Sequence, residues 1–138
     1  MNKNQPRGLR NHNPLNIRVS SEKWQGMAEK QSDKSFVQFV NNAYGYRAAF
    51  VTLKTYQIRH GLRTIADMIG RWAPPLENNT AAYIRRVANG TGLDKNAHLP
   101  YTNKELMIRM VMAMTMVENG IQAIKSEVEE GYRLAFGF

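Results

Sequence analysis

The sequence predicts a mainly α domain of α+β character, in which a small β-hairpin region precedes helices built around one central apolar helix. Three observations predict it. Apolar and polar residues alternate only near the N-terminus, at Leu15, Ile17 and Val19 and again over Phe36–Val40, the period of a half-buried strand. From Asn42 onward the apolar spacing becomes helical, with Tyr46, Ala49, Phe50, Leu53 and Tyr56 as the first such set. The stretch Leu106–Val117 is apolar nearly all round, which marks a helix with other helices about it. A chain of 138 residues, 43% hydrophobic, is long enough for a single domain with a real core.

The elements follow in order. Residues 1–10 read as a flexible basic arm, and 11–138 as one domain with a β region over 11–40 and a helical region over 42–136. Polar linkers with Trp24 and Gly26 separate the two candidate strands. The first long helix, Ala43 to Arg59, stops at Gly61, because glycine tolerates the left-handed cap. Thr64 caps a short helix through Trp72. Pro74 and Pro75 end it and push their neighbours toward extended geometry. Asn79 or Thr80 caps the next helix, which runs to Ala88. Thr102 and Glu105 match a capping box, which opens the central helix and occupies Glu105. That helix ends near Asn119-Gly120, and its methionines read as adaptable core filler. A last helix covers about Ile121 to Phe136, with Ile124, Val128 and Tyr132 on one face.

Composition narrows the chemistry. There is no cysteine, so disulfides, thiolate metal sites and cysteine nucleophiles are excluded. His12, His60 and His98 lack metal-like spacing and read as surface or cap residues; neither a metal nor a cofactor is expected. No glycine-rich phosphate loop and no serine nucleophile elbow occur. The N-terminus lacks the apolar run of a signal peptide, and no segment is long enough to span a bilayer, so synthesis in a cytoplasm is expected. Lys+Arg 19 against Asp+Glu 11 leaves +8, a surface that seeks nucleic acid, anionic lipid or an anionic cell wall. The basic residues form no dense run, and Arg85 with Arg86 is the nearest approach to one.

The segment Arg71-Trp72-Ala73-Pro74-Pro75-Leu76-Glu77-Asn78-Asn79-Thr80-Ala81-Ala82-Tyr83 gathers one carboxylate, amides, a hydroxyl and aromatics on a stiff turn. Such a set suits a glycan-handling cleft, and it also suits an ordinary helix–turn–helix corner. Apolar contact at Glu77 would raise its pKa, as a general acid requires. Asn11, Asn13 and Asn16 form either a turn into a strand or an amide-lined strand beside a sugar, since amides both donate and accept. Trp24 either stacks on a sugar ring or caps the core. Among the acids, Glu29 and Asp33 read as solvated loop residues, and Glu127, Glu129 and Glu130 as a wet helix face. Three candidates for catalysis remain: Glu77 first, Glu118 second, either as the acid or in a buried pair with an arginine, and Glu22 beside Trp24. Tyr44, Arg71, Trp72, Asn78, Asn79, Thr80 and Tyr83 complete the candidate substrate-binding set.

The pattern GLRNHNPLNIR, then Trp24 and Gly26, FVQF, AYGYRAAF and RWAPPLENNTAAYI resembles a family of phage and prophage virion-associated lytic proteins. That family is similar to the lytic enzyme of enveloped double-stranded RNA phages and belongs to the lysozyme-like superfamily. The likeness covers about residues 7 to 120. A looser likeness runs to bacterial wall glucosaminidases, whose Asn-x-x-Gly-Ile-Lys strand precedes a Trp-x-Gly; Asn13 to Arg18, Trp24 and Gly26 echo it. The resemblance implies a lysozyme-like fold and cleavage of peptidoglycan by a lysozyme or lytic transglycosylase reaction, muralytic activity in cell wall degradation. Two alternatives stand behind that reading: an endopeptidase on the same fold, as the RNA-phage enzyme is, or a non-catalytic virion or wall-binding module. The implied partners are peptidoglycan glycan strands, with virion proteins or a holin-type delivery system, acting at the cell wall, in the periplasm or in the virion. Nucleic acid is set aside, because the aromatic–amide turn has no role there. In one respect the sequence departs from the superfamily, which places its catalytic glutamate at the end of a helix upstream of the strand motif. Here no acid precedes Glu22.

Overall fold

The computed structural model describes residues 5–76 and 78–138. Six helices form among them: α1 (Arg7–Arg10), α2 (Asn42–His60), α3 (Ile65–Trp72), α4 (Thr80–Thr91), α5 (Lys104–Asn119) and α6 (Lys125–Phe136). Short polar side chains start most of them by accepting from a free backbone N–H. Asn41 accepts from Tyr44 at 3.1 Å, Thr64 from Asp67 at 3.0 Å and Asn79 from Ala82 at 3.2 Å. Gly61 closes α2 in the left-handed region, as expected. The opening of α5 differs. Asn103, not Thr102, is the cap, accepting from Leu106, and Glu105 instead pairs with Arg109 at 2.8 Å on the exposed face.

The core forms where α6 lies along α2 and α4 along α5. Gly131 makes the first contact close, since a Cβ there would lie 2.5 Å from the Tyr46 Cβ and 3.0 Å from the Ala43 carbonyl oxygen. Val128 and Tyr132 are buried in that seam, and the Phe50 and Tyr132 rings meet edge to face at 5.1 Å. Ile124 does not join them; it lies before the helix and is 60% exposed. The central helix, α5, touches α1, α2, α4 and α6 and buries Met107, Ile108, Met110, Val111 and Met114. It is not enclosed all round, for Met116 is 40% exposed and Arg109 faces water.

The expected β-hairpin is absent. Among the described residues there is no strand, and residues 11–40 contain only two isolated antiparallel bridges, Arg18 with Phe36 and Met27 with Phe39. The alternation is real, since Leu15, Ile17, Val37 and Phe39 are buried, but Val19 and Val40 are about half exposed. Asn16 is the physical reason. Its φ of 56° is left-handed and breaks the extended run between Leu15 and Ile17. A side chain supplements the few backbone bonds that remain, such as Val37 N–H to the Ile17 carbonyl at 3.0 Å: fully buried Asn13 donates to the Ile17 carbonyl at 2.9 Å and the Val37 carbonyl at 2.8 Å, and accepts from the Ile17 N–H.

Of the expected basic arm, residues 1–4 lie outside the described residues. Residues 7–10 are not an arm, for they form α1 with Gly8 buried. A Cβ at Gly8 would lie 2.8 Å from the Asn13 carbonyl and 2.9 Å from Asn119 Oδ1, so only glycine allows this approach. Arg7 reaches Asp33 with both Nε and Nη2, at 2.7 and 2.6 Å. Asp33 is therefore not a solvated loop residue. The Arg7 guanidinium, with Ser35 N–H, the Asn11 amide and Phe36 N–H, holds its carboxyl well below the usual carboxylate range. Among the described residues no helix is long and apolar enough to cross a membrane.

Candidate functional site

A groove of about 410 Å³ runs between residues 15–36 on one side and α2, the end of α3 and the end of α5 on the other. Its lining is aromatic and polar: Trp24, Phe36, Tyr56 and Trp72, with Asn16, Arg18, Asn78 and Glu118. A second cavity of about 270 Å³ continues past Asn78 and Glu118 to Asn79, Tyr83 and Arg86. The two cavities share Asn78 and Glu118, so Glu118 borders both.

Glu118 is in the last turn of α5, where the helix dipole is negative and a carboxylate is disfavoured by about 0.3–1 kcal/mol. Two donors offset that. Asn16 Nδ2 donates to Oε1 at 2.9 Å, and Tyr83 Oη donates to Oε2 at 2.9 Å. The next residue is clamped as well, with Asn119 Nδ2 donating to the Pro14 carbonyl at 2.6 Å. Burial first, then the nearby Glu118 carboxylate and their hydrogen bond, push the Tyr83 phenol far above its ordinary value, against a smaller opposing influence from Trp72. Tyr83 thus keeps its proton and acts as a permanent donor. Among the described residues Glu118 has no ion-pair partner and is the only carboxylate lining either cavity. The structural alternative for Glu118, a buried pair with an arginine, does not occur among them.

The expected site residues divide. Asn16, Trp24, Trp72, Asn78, Asn79 and Tyr83 line the two cavities with Glu118. Trp72 meets Tyr56 edge to face at 6.4 Å, and Arg71 lies 5.3 Å from the Tyr56 ring centre. Thr80 turns inward and donates to the Ala73 carbonyl. Asn13 is consumed by the loop, as the turn reading of that residue has it. Asn11 bonds Asp33 and Gln38 at a third cavity, with Arg7, Arg10 and Lys34. The Tyr44 ring fills the space over Gly26, and Tyr44 lines neither of the two neighbouring cavities. Glu22 is exposed and also lines neither. Glu77 lies outside the described residues. Sequence reasoning missed Arg18, Phe36, Tyr56 and Arg86 as lining residues; the aromatic pair showed only as core periodicity. Among the described residues no cluster of His, Asp or Glu could hold a metal ion.

No family model matches the chain. It is 40% identical over 134 residues to Protein P5 of Pseudoalteromonas phage PM2, a match that covers 94% of this chain and 82% of that protein.

Proposed function

The chain belongs to the family of Protein P5 of Pseudoalteromonas phage PM2, and from that premise we propose that it is a phage peptidoglycan-cleaving enzyme of lysozyme-like type that uses Glu118 as its catalytic acid. The observation that carries this reading is the Glu118 carboxyl, which accepts from Asn16 and Tyr83 at the border of a groove walled by aromatics and amides. Aromatic faces suit the apolar faces of sugar rings, and amides suit their hydroxyl and N-acetyl groups. The resemblance to lysozyme-like enzymes supports the same residue. They carry their catalytic glutamate at the end of a helix, and Glu118 ends α5, bonded to Asn16 of the motif segment. The chain order is reversed, with the helix after the motif rather than before it.

In this mechanism Glu118 passes its proton to the glycosidic oxygen as the bond to the anomeric carbon breaks. Asn16 and Tyr83 donate more strongly to the carboxylate than to the neutral acid, so their contribution grows as the proton leaves. With no second described carboxylate on the groove, a group of the substrate completes the displacement. A sugar hydroxyl attacks the anomeric carbon and returns its proton to Glu118, leaving an anhydro-sugar and consuming no water.

The test is a zymogram on purified wall with analysis of the digested sacculi. Glu118→Gln is expected to lower lysis by about 10²–10⁴-fold, and wild-type digests to contain anhydro-sugars; new reducing ends instead would mean that water, not a sugar hydroxyl, completes the displacement. Full lysis by Glu118→Gln, with loss in a parallel Glu77→Gln variant, would transfer the role to Glu77. New free amines without glycan ends would replace the reading with peptide cleavage.

A further inference from the structure

The charge along the groove raises a question that its aromatic and amide lining does not answer. Besides Glu118, the charged residues lining the two neighbouring cavities are Arg18 in the first and Arg86 in the second. Both are exposed, and among the described residues neither has a carboxylate within ion-pair distance. The contrast at Phe36 is instructive. The guanidiniums of Arg7 and Arg18 both lie over its ring, at 4.7 and 5.1 Å. Arg7 is committed to Asp33 by two hydrogen bonds, whereas among the described residues Arg18 has only the ring as partner, on the groove. A guanidinium held by its face keeps its edge donors available, and that edge matches a carboxylate in two parallel bonds. A neutral glycan gives these two cations nothing to pair with.

We propose that Arg18 and Arg86 make the groove selective for a glycan whose substituents carry free carboxylates, such as the peptide stems of peptidoglycan, over a neutral glycan. The inference rests on the reading that this groove takes a glycan. It adds two specificity-determining residues, one in each of the cavities that Glu118 borders, that contact substituents rather than the bond that breaks.

The test measures binding to the full chain in a Glu118→Gln background, by quenching of tryptophan fluorescence. Three probes are used: peptidoglycan strands free of wall teichoic acid, the same strands with stem carboxylates capped as amides, and a neutral chitin oligosaccharide. Removing teichoic acid leaves stem carboxylates, not polymer phosphates, as the anions. Free-carboxylate strands are expected to bind about tenfold or more tightly than capped strands. Arg18→Gln with Arg86→Gln is expected to abolish the difference between free-carboxylate and capped strands. Equal binding of free and capped strands, or a preference that survives the double variant, overturns the selectivity and leaves glycan binding standing. Binding of none of the three probes overturns the glycan reading itself.

Discussion

Asn16 offers the sharpest perturbation, because its backbone and its side chain carry separate burdens. The backbone is left-handed at φ 56°, and the side chain holds Glu118 Oε1 at 2.9 Å. Asn16→Gly removes only the side chain, and Asn16→Ala removes it while forcing a Cβ into a region that disfavours one. A hydrogen bond to a partly buried carboxylate contributes about 1–2 kcal/mol, a loss common to both variants. The left-handed penalty for alanine adds about 1–2 kcal/mol. Glycine's greater freedom in the unfolded chain adds about 0.4–1 kcal/mol on its own side. Alanine should therefore be the less stable variant by about 1 kcal/mol, a further fall of about 3–5 °C in melting temperature for a domain of this size. Thermal unfolding followed by circular dichroism reads that gap. Wall lysis should fall about tenfold or more in both, because each leaves the carboxyl with one orienting donor. Equal melting temperatures would refute the backbone argument, and wild-type lysis in either variant would refute the orienting role.

Two further predictions concern stability. The Asp33 carboxyl is lowered by Arg7, so its contribution is present in full above the unfolded aspartate value and is lost as pH falls below about 4. Urea midpoints of wild type and Asp33→Asn should differ at pH 7 and converge in acid; a gap that does not narrow excludes the carboxylate as its source. Gly131→Ala should destabilise by about 1–3 kcal/mol through overpacking, since the new methyl meets the Tyr46 Cβ and the backbone of α2 rather than a flexible side-chain end. A raised melting temperature there would mean that helix propensity outweighs the α2–α6 contact.

What could be read from the chain was local. Thr64, Asn79 and Gly61 mark their helix ends through bonds spanning a few residues, and short polar or glycine residues at such places signal them directly. Asn103 took the cap from Thr102 because two neighbouring side chains can serve one end, and only the backbone geometry decides between them. The first candidate strand failed at a single residue. Leu15 and Ile17 alternate as a strand would, but nothing in a hydrophobic pattern reveals that Asn16 between them is left-handed. The site was half legible. Its aromatic and amide side appeared as a dense local motif, from Trp72 to Tyr83. Its carboxyl lies far off in sequence, with Asn16 and Glu118 separated by 102 positions, and no local signal joins them. Asp33 was misread for the same reason, because its partner is 26 residues away.

The bond from Asn119 to Pro14, adjacent to that from Asn16 to Glu118, has a bearing on when the molecule becomes competent. Both stitch the first loop to the far end of α5, across 105 and 102 positions of a chain of 138, so each closes a wide circuit. Closing so wide a circuit is entropically unfavourable until the intervening helices have docked. Helices can be fully wound while the groove around Glu118 is still unassembled, so the complete site belongs only to the finished molecule.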